Sequence, residues 1–385
     1  MAKTVLVLGG GIGGVVVARE LRKWLGSADR VILIDKDGKH LFAPSLLWVM
    51  EGRRKPEAVV KNLERLRRKG IEVIVGAVTK IDAENRRVET EAGGFDFDAL
   101  VIALGAETAP EMMPGFAEAA VSPYTLEGAI ATRDAVAGFD GGKIVVMVAS
   151  LPFKCPAVPY EAALLIDHGL CKRGVRGVVE MEFITPEPQP MPVAGRELGR
   201  MVEVLLAGRQ ITYRPKLTPE SVDVEGKAVV LAGGERVGFD LLVGIPPHRA
   251  PEVVRESGLA NEAGWIPVHH NTMATVVPGV YAIGDVTAIV TPSGMPLPKA
   301  GVFAEGQAKT VAAVVAGYLS GKTEPAANFY GHGTCFLEIG GGMAGRAKGS
   351  FYAEPKPDVK FDPPGRFWRM QKWLFEKWWM WKWAP

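Results

Sequence analysis

Cys155, Cys171 and Cys335 are the three thiols of the chain, and their settings differ. Cys155 lies in VVMVASLPFKCPAVPYE, residues 145–161, where a run of β-formers meets a turn and then a helical stretch. In a nicotinamide-binding fold that turn would hold glycines, so that backbone could approach a pyrophosphate. Here it holds Pro152, Phe153, Lys154, Cys155, Pro156 and Pro159. A lysine beside the thiol, in a segment without helical periodicity, fits a redox cysteine better than a small apolar filler. Cys335 sits in GTCFLEI, a strand-like run that does not choose between those roles. Cys171, in HGLCKRG at a helix end, reads as structural.

A second constellation lies at the start. Thr4–Leu8 is a continuous apolar strand that runs into GGGIGG and then a helix over Val15–Leu25. Gly9, Gly11 and Gly14 fit the pattern GxGxxG. Gly9 makes the tight turn, Gly11 admits a pyrophosphate, and Gly14 lets the helix pack on the strand. The next strand, Arg30–Ile34, ends at Asp35, where a carboxylate can accept hydrogen bonds from a ribose.

These motifs need sheets to position them. Strands are expected at Glu72–Gly76, Arg87–Glu89 and Phe97–Gly105, with Gly105 closing the last in a glycine turn. A helix over Thr125–Phe139 leads to the Cys155 segment and a helix over Tyr160–His168. Val178–Thr185 and Leu241–Gly244 read as strands, and Gly195–Ala207 as a helix. Gly279–Ile283 then leads into Gly284-Asp285, and PKAGVFAEGQA (298–308) begins a helix. The resulting expectation is an α/β fold with two Rossmann-like domains. Residues 1–112 and 259–330 form one, split around 113–258, which carries the Cys155 loop; 331–385 follow as a C-terminal region.

Composition bounds the function. A chain of 385 residues, 48% hydrophobic, suggests two domains. A net charge of +2, with no basic stripe, argues against nucleic acid. No metal-ligand constellation stands out. Three cysteines do not make a disulfide scaffold, and they fit a reducing compartment or a redox role. The N-terminal stretch enters a strand without a signal-peptide pattern, so the cytoplasmic side is expected. No apolar run reaches the roughly 18–20 residues that a membrane span needs. Yet Trp368, Trp373, Trp378, Trp379, Trp381 and Trp383 crowd into RFWRMQKWLFEKWWMWKWAP, residues 366–385. On a helix, Arg369, Lys372 and Glu376 make a polar stripe. Phe367, Met370, Leu374, Trp378 and Trp381 lie on another face, with Trp379 and Trp383 beside it. Such a helix is expected to lie in the headgroup plane as a peripheral anchor, dispensable for chemistry at the cysteines.

The chain resembles the sulfide:quinone oxidoreductase and flavocytochrome c sulfide dehydrogenase family from Val5 to about Gly340. The motifs that carry the likeness are KCPAVPYE around Cys155, ITPEP at 184–188, IPPHRAP at 245–251, PGVYAIGD at 278–285, PKAGVFAE at 298–305 and TCF around Cys335. The resemblance implies FAD, held by Gly9, Gly11, Gly14, Asp35, Gly105, Gly284, Asp285 and Lys299. It implies that Cys155 and Cys335 form a redox disulfide beside the flavin ring. Sulfide attacks such a disulfide as a nucleophile, and Glu161, shortly after Cys155, is a candidate base. Many quinone-linked members carry a further cysteine upstream. This chain has none, so non-covalent FAD is expected, without a three-cysteine relay. His248, His269, His270 and His332 read as structural.

Three functions follow from the resemblance: a membrane-surface enzyme passing two electrons from sulfide to an isoprenoid quinone, a flavocytochrome-type sulfide dehydrogenase, and a type II NADH dehydrogenase. Relatives of the second kind are exported, and this chain shows no signal-peptide pattern and no CxxCH, but has a tryptophan-rich tail suited to a quinone in a bilayer. The third would want a second glycine loop, and residues 149–158 contain no glycine. A non-catalytic flavin-bound persulfide sensor would show no turnover with quinone. The first reading is preferred, with Phe336, Phe351 and Tyr352 as quinone-stacking candidates; a homo-oligomer is compatible with the sequence.

Overall fold

The computed structural model describes residues 2–322 and 326–384; Met1, residues 323–325 and Pro385, parts of the expected domain ranges and of the tail, lie outside them. The chain opens with β1 (Thr4–Leu8), α1 (Ile12–Trp24), β2 (Arg30–Asp35), β3 (Glu72–Val75) and β4 (Ala99–Ile102). It crosses to β5 (Ala120–Val121), α2 (Leu126–Ala137), β6 (Gly142–Val148), α3 (Val158–Arg173), β7 (Val179–Ile184), α4 (Arg196–Ala207), β8 (Ile211–Arg214) and β9 (Leu241–Ile245). It returns as β10 (Val280–Ala282) and α5 (Gly301–Leu319). Last come β11 (His332–Gly340), β12 (Met343–Ser350), β13 (Asp358–Gly365) and α6 (Arg366–Lys382).

Two parallel sheets result. The first has the order β10-β4-β1-β2-β3, and the second β5-β9-β6-β7-β8. Because β10 pairs with β4 in the register Val280↔Leu100, the first sheet closes only after the second is complete. This is the Rossmann-like split expected from the motifs. Continuous apolar runs suit strands covered on both faces, and Val5–Leu8 are fully buried. Val15, Val16, Val17 and Leu21 of α1 share one core with Phe303, Val311 and Val315 of α5. β11, β12 and β13 form an antiparallel sheet, and Leu337 and Ile339 of β11 join the core of the second unit.

Element edges moved for local reasons. α1 begins at Ile12, because the last glycines of the loop already form its first turn. α3 runs on to Arg173, where Gly174 in the left-handed conformation ends it. α2 starts after Thr125, whose side-chain oxygen accepts the Gly128 N–H at 2.9 Å.

The terminal helix is where the sequence reading changes. Its polar stripe points into the protein. Lys372, Glu376, Trp379 and Trp383 are buried, Trp379 with only 1% of its surface exposed. Arg54 and Ser45 both reach Glu376, at 2.7 Å each, and Trp379 stacks on His40 at 5.1 Å. Phe367, Met370, Trp373, Leu374, Trp378 and Trp381 face outward, Trp381 at 81% exposure. The helix is amphipathic as expected, but the polar side docks, because the surface beneath it offers buried carboxylates and an arginine beside the apolar core that takes Trp379 and Trp383.

Candidate active site

The glycine loop is shaped as a phosphate cradle. Gly9 has φ +100°, and a Cβ on Gly14 would overlap the Gly9 carbonyl oxygen, so α1 can approach β1 only with glycine there. Gly11 has open space on the side where a Cβ would point. The Asp35 carboxylate accepts N–H bonds from Gly10 at 2.8 Å and from Gly38 at 2.9 Å, pinning the loop to the strand end. That leaves oxygen lone pairs for a ribose hydroxyl. Gly105 has φ +71° with open space where a Cβ would point, and Gly284 has φ +74°, its N–H donated to Gln307 Oε1 at 2.7 Å. These residues fit a dinucleotide whose phosphates meet the N-terminus of α1. Gly14→Val is expected to push α1 off β1, with loss of bound flavin and a destabilisation of about 1–3 kcal/mol or more. Flavin content per chain and thermal unfolding would report both.

At the far end of such a ligand, Asp285 and Lys299 meet the Cys155 loop. The Lys299 ammonium donates to the carbonyls of Asp285 at 2.7 Å and Thr287 at 2.9 Å, and lies 3.6 Å from the Trp265 ring centre. Burial lowers its pKa to about 8 against the pull of Asp285. Burial likewise pushes the Asp285 carboxyl up, opposed by Lys154 and Lys299. The Lys299 carbonyl accepts the Cys155 N–H at 2.5 Å, which ties the thiol loop to the segment entering α5. Cys155 holds φ 53°, a left-handed conformation uncommon outside glycine and asparagine. Backbone strain of this kind persists where surrounding contacts impose it.

Cys335 lies on β11, which packs along α3, the helix that leaves the Cys155 turn, whereas Cys171 lies exposed at the end of that helix. Both Cys155 and Cys335 are half-buried free thiols. Burial raises both pKa values, that of Cys335 to about 11, with Glu161 adding to the rise and Lys372 opposing it.

Glu161 is buried, and one carboxylate oxygen takes both its partners. It accepts the Glu338 N–H at 2.7 Å and the Lys372 ammonium at 2.9 Å. It is therefore an ion-paired carboxylate, and the base role suggested by its place after Cys155 would be exercised beside the Lys372 ammonium. Burial pushes its pKa up and Lys372 opposes that. Around it Glu338 accepts from Trp48 Nε1 at 2.6 Å, and Arg369 and Arg53 approach Glu338 at 3.6 and 4.0 Å. The sequence reading missed Lys372, Glu338 and Trp48 as parts of this site. The available signal was the largely apolar face opposite Lys372, with Phe367, Met370, Leu374, Trp378 and Trp381.

The histidines divide. His248 is buried, its Nδ1 held by the Pro246 carbonyl at 2.8 Å, and burial lowers its pKa to about 3. His269 and His270 stack on each other at 5.0 Å, and His332 is exposed at the start of β11. A groove of about 1080 Å³ runs between α5, the β11–β13 sheet and α6, lined by Val302, Phe336, Arg346, Leu374, Phe375 and Trp378 among others. Of the three aromatic candidates only Phe336 lines it. Phe351 packs edge-on to Phe303 at 4.9 Å, and the Tyr352 hydroxyl donates to the His270 carbonyl at 2.7 Å.

Residues 3–314 match the family model described as pyridine nucleotide-disulphide oxidoreductase. The chain is 28% identical to the sulfide-quinone reductase of Aquifex aeolicus, over 99% of this chain and 91% of that one. A type II NADH:quinone oxidoreductase of Staphylococcus aureus is 26% identical over 86% of each. Among solved structures, the sulfide:quinone oxidoreductase of Aquifex aeolicus superimposes with a TM-score of 0.89, covering 100% of this chain and 92% of that one.

Proposed function

The chain belongs to the pyridine nucleotide-disulphide oxidoreductase family, and from that premise we propose that it is an FAD-dependent sulfide:quinone oxidoreductase whose redox pair is Cys155 and Cys335. The observation that carries this reading is the replacement of the second glycine loop by the Cys155 turn, supported by the Glu338 N–H bond that ties the strand of Cys335 to Glu161 on the helix after that turn. A nicotinamide-binding turn would need glycines there. The likeness to a sulfide-quinone reductase over nearly the whole chain supports the same reading.

FAD, bound without a covalent link across the α1 loop, Asp285 and the start of α5, supplies a two-electron acceptor. The protein supplies the sulfur chemistry. With the two cysteines joined, hydrosulfide attacks one sulfur. The cysteine–cysteine bond breaks, a persulfide forms on the attacked residue, and the other leaves as a thiolate. Persulfide and thiolate can rejoin, with the added sulfur between them, only by giving up two electrons and one proton. A bound flavin would supply the acceptor for those electrons. Lys299 and the N-terminus of α5 would contribute positive charge to hold the reduced form. Glu161, held by Lys372, is the carboxylate nearest in sequence to the thiol turn and the candidate to take the proton.

Quinone would enter by the groove between α5, the β11–β13 sheet and α6, whose outer apolar face would lie on the membrane surface. Among the described residues no helix is long and apolar enough to cross a bilayer. Anaerobic sulfide is expected to bleach the visible flavin band, and a short-chain quinone to restore it. Bleaching by NADH with none by sulfide would instead favour the NADH dehydrogenase reading, to which the Staphylococcus aureus likeness points.

A further inference from the structure

The compartment that holds the two thiols resists the chemistry proposed for it. Burial favours the protonated thiol at both cysteines, and the Glu161 carboxylate disfavours a thiolate further. Yet a cysteine must leave as thiolate when its disulfide is attacked. The cation paired with that carboxylate is Lys372. It enters from α6, with its ammonium 2.9 Å from Glu161, on the helix after the Cys155 turn, and 3.9 Å from Glu338, on the Cys335 strand, and it opposes the rise at both thiols. Burial pulls its pKa down, but Glu161 and Glu338 outweigh that and keep it charged. The other charges facing this pair are accounted for. Arg369 and Arg53 stand at Glu338, Arg53 also pairs with Glu51 at 3.1 Å, and Lys154 faces Asp285 on the Cys155 side.

We propose that Lys372 is a positioning residue for the cysteine pair: its ammonium, carried in on the docked face of the terminal helix, cancels the Glu161 charge and so lets a thiolate form at Cys155 or Cys335. The terminal helix is then part of the redox centre as well as a surface element. One face completes the charge balance at the thiols while the other carries the outward tryptophans. The inference rests on the cysteine chemistry proposed above, but its readout needs neither sulfide nor quinone.

The test is alkylation of the dithiothreitol-reduced, FAD-loaded full chain by iodoacetamide across pH. Peptide mass spectrometry follows Cys155 and Cys335, with exposed Cys171 as the internal reference. Lys372→Met is expected to raise the midpoints of Cys155 and Cys335 by about one pH unit or more, so that at fixed pH both react roughly tenfold more slowly. Lys372→Arg should stay near the parent, and Glu161→Gln should move the midpoints down. The double variant, which leaves a neutral buried pair and so avoids an unpaired carboxylate, should return towards the parent. Trp381→Ser should weaken liposome binding and leave the midpoints in place. Unchanged midpoints in Lys372→Met would overturn the proposal. So would a double variant no closer to the parent than Lys372→Met, or a shift in Trp381→Ser as large as that in Lys372→Met.

Discussion

Cys155→Ser is expected to abolish bleaching of the bound flavin by sulfide, down to the rate at which sulfide reduces free flavin, and Cys335→Ser is expected to do the same. Serine cannot form the disulfide that hydrosulfide attacks, and its alkoxide is a far poorer leaving group than a thiolate. The two substitutions should be equivalent in this assay despite different local settings, one in a left-handed turn and one in a strand, because the electrophile is the bond between them. Flavin content should stay at parent level in both, since neither residue belongs to the α1 cradle. Cys171→Ser should bleach normally, because Cys171 is exposed at the far end of α3. Stopped-flow spectra under anaerobic conditions decide it. A Cys335→Ser protein reduced at the parent rate would remove Cys335 from the redox pair.

Deleting residues 366–385 carries the second large effect, and it falls on stability as well as on membrane binding. The deletion removes Lys372 from Glu161, Arg369 from Glu338, and Glu376 from Arg54 and Ser45. Breaking a buried ion pair by removing one partner costs about 3–5 kcal/mol, because the other charge stays buried and unpaired. Trp379 and Trp383 also leave the core they share with Phe42 and α1. Against a typical total of about 5–15 kcal/mol, the shortened chain should lose cooperative unfolding or melt far below the parent. Liposome binding should fall as well. A simple anchor would behave differently: the shortened protein would keep its melting temperature and be reduced by sulfide as before. Thermal unfolding followed by flavin fluorescence and by circular dichroism separates the two cases.

The glycine cradle and the thiol turn were legible early because their meaning is local. A turn that must admit a phosphate or place a helix against a strand constrains a few consecutive residues, and Gly9, Gly11 and Gly14 stand together. Gly284 and Asp285 were legible for the same reason, as the end of a short apolar strand. Glu161 was half legible. Its place after Cys155 suggested a base, but a carboxylate's behaviour depends on its partners, and these come from β11 and α6. Phe351 and Tyr352 show the limit from the other side: near Phe336 in sequence, they pack against α5 and the His270 segment instead of the groove.

By itself, then, the sequence determined the two parallel-sheet units, the dinucleotide cradle, the replacement of the second glycine loop by Cys155, and the existence of two unlike faces on the terminal helix. Tertiary structure decided which of those faces is inside. Helical spacing separates Arg369, Lys372 and Glu376 from Phe367, Leu374 and Trp378, but it carries no information about the surface that receives them. That surface holds Glu161, 211 residues before Lys372 in the chain. A buried carboxylate is stable only with a partner. The buried carboxylates beneath the helix therefore turned the polar stripe inward together with Trp379 and Trp383, and left Phe367, Trp373, Leu374, Trp378 and Trp381 to face out.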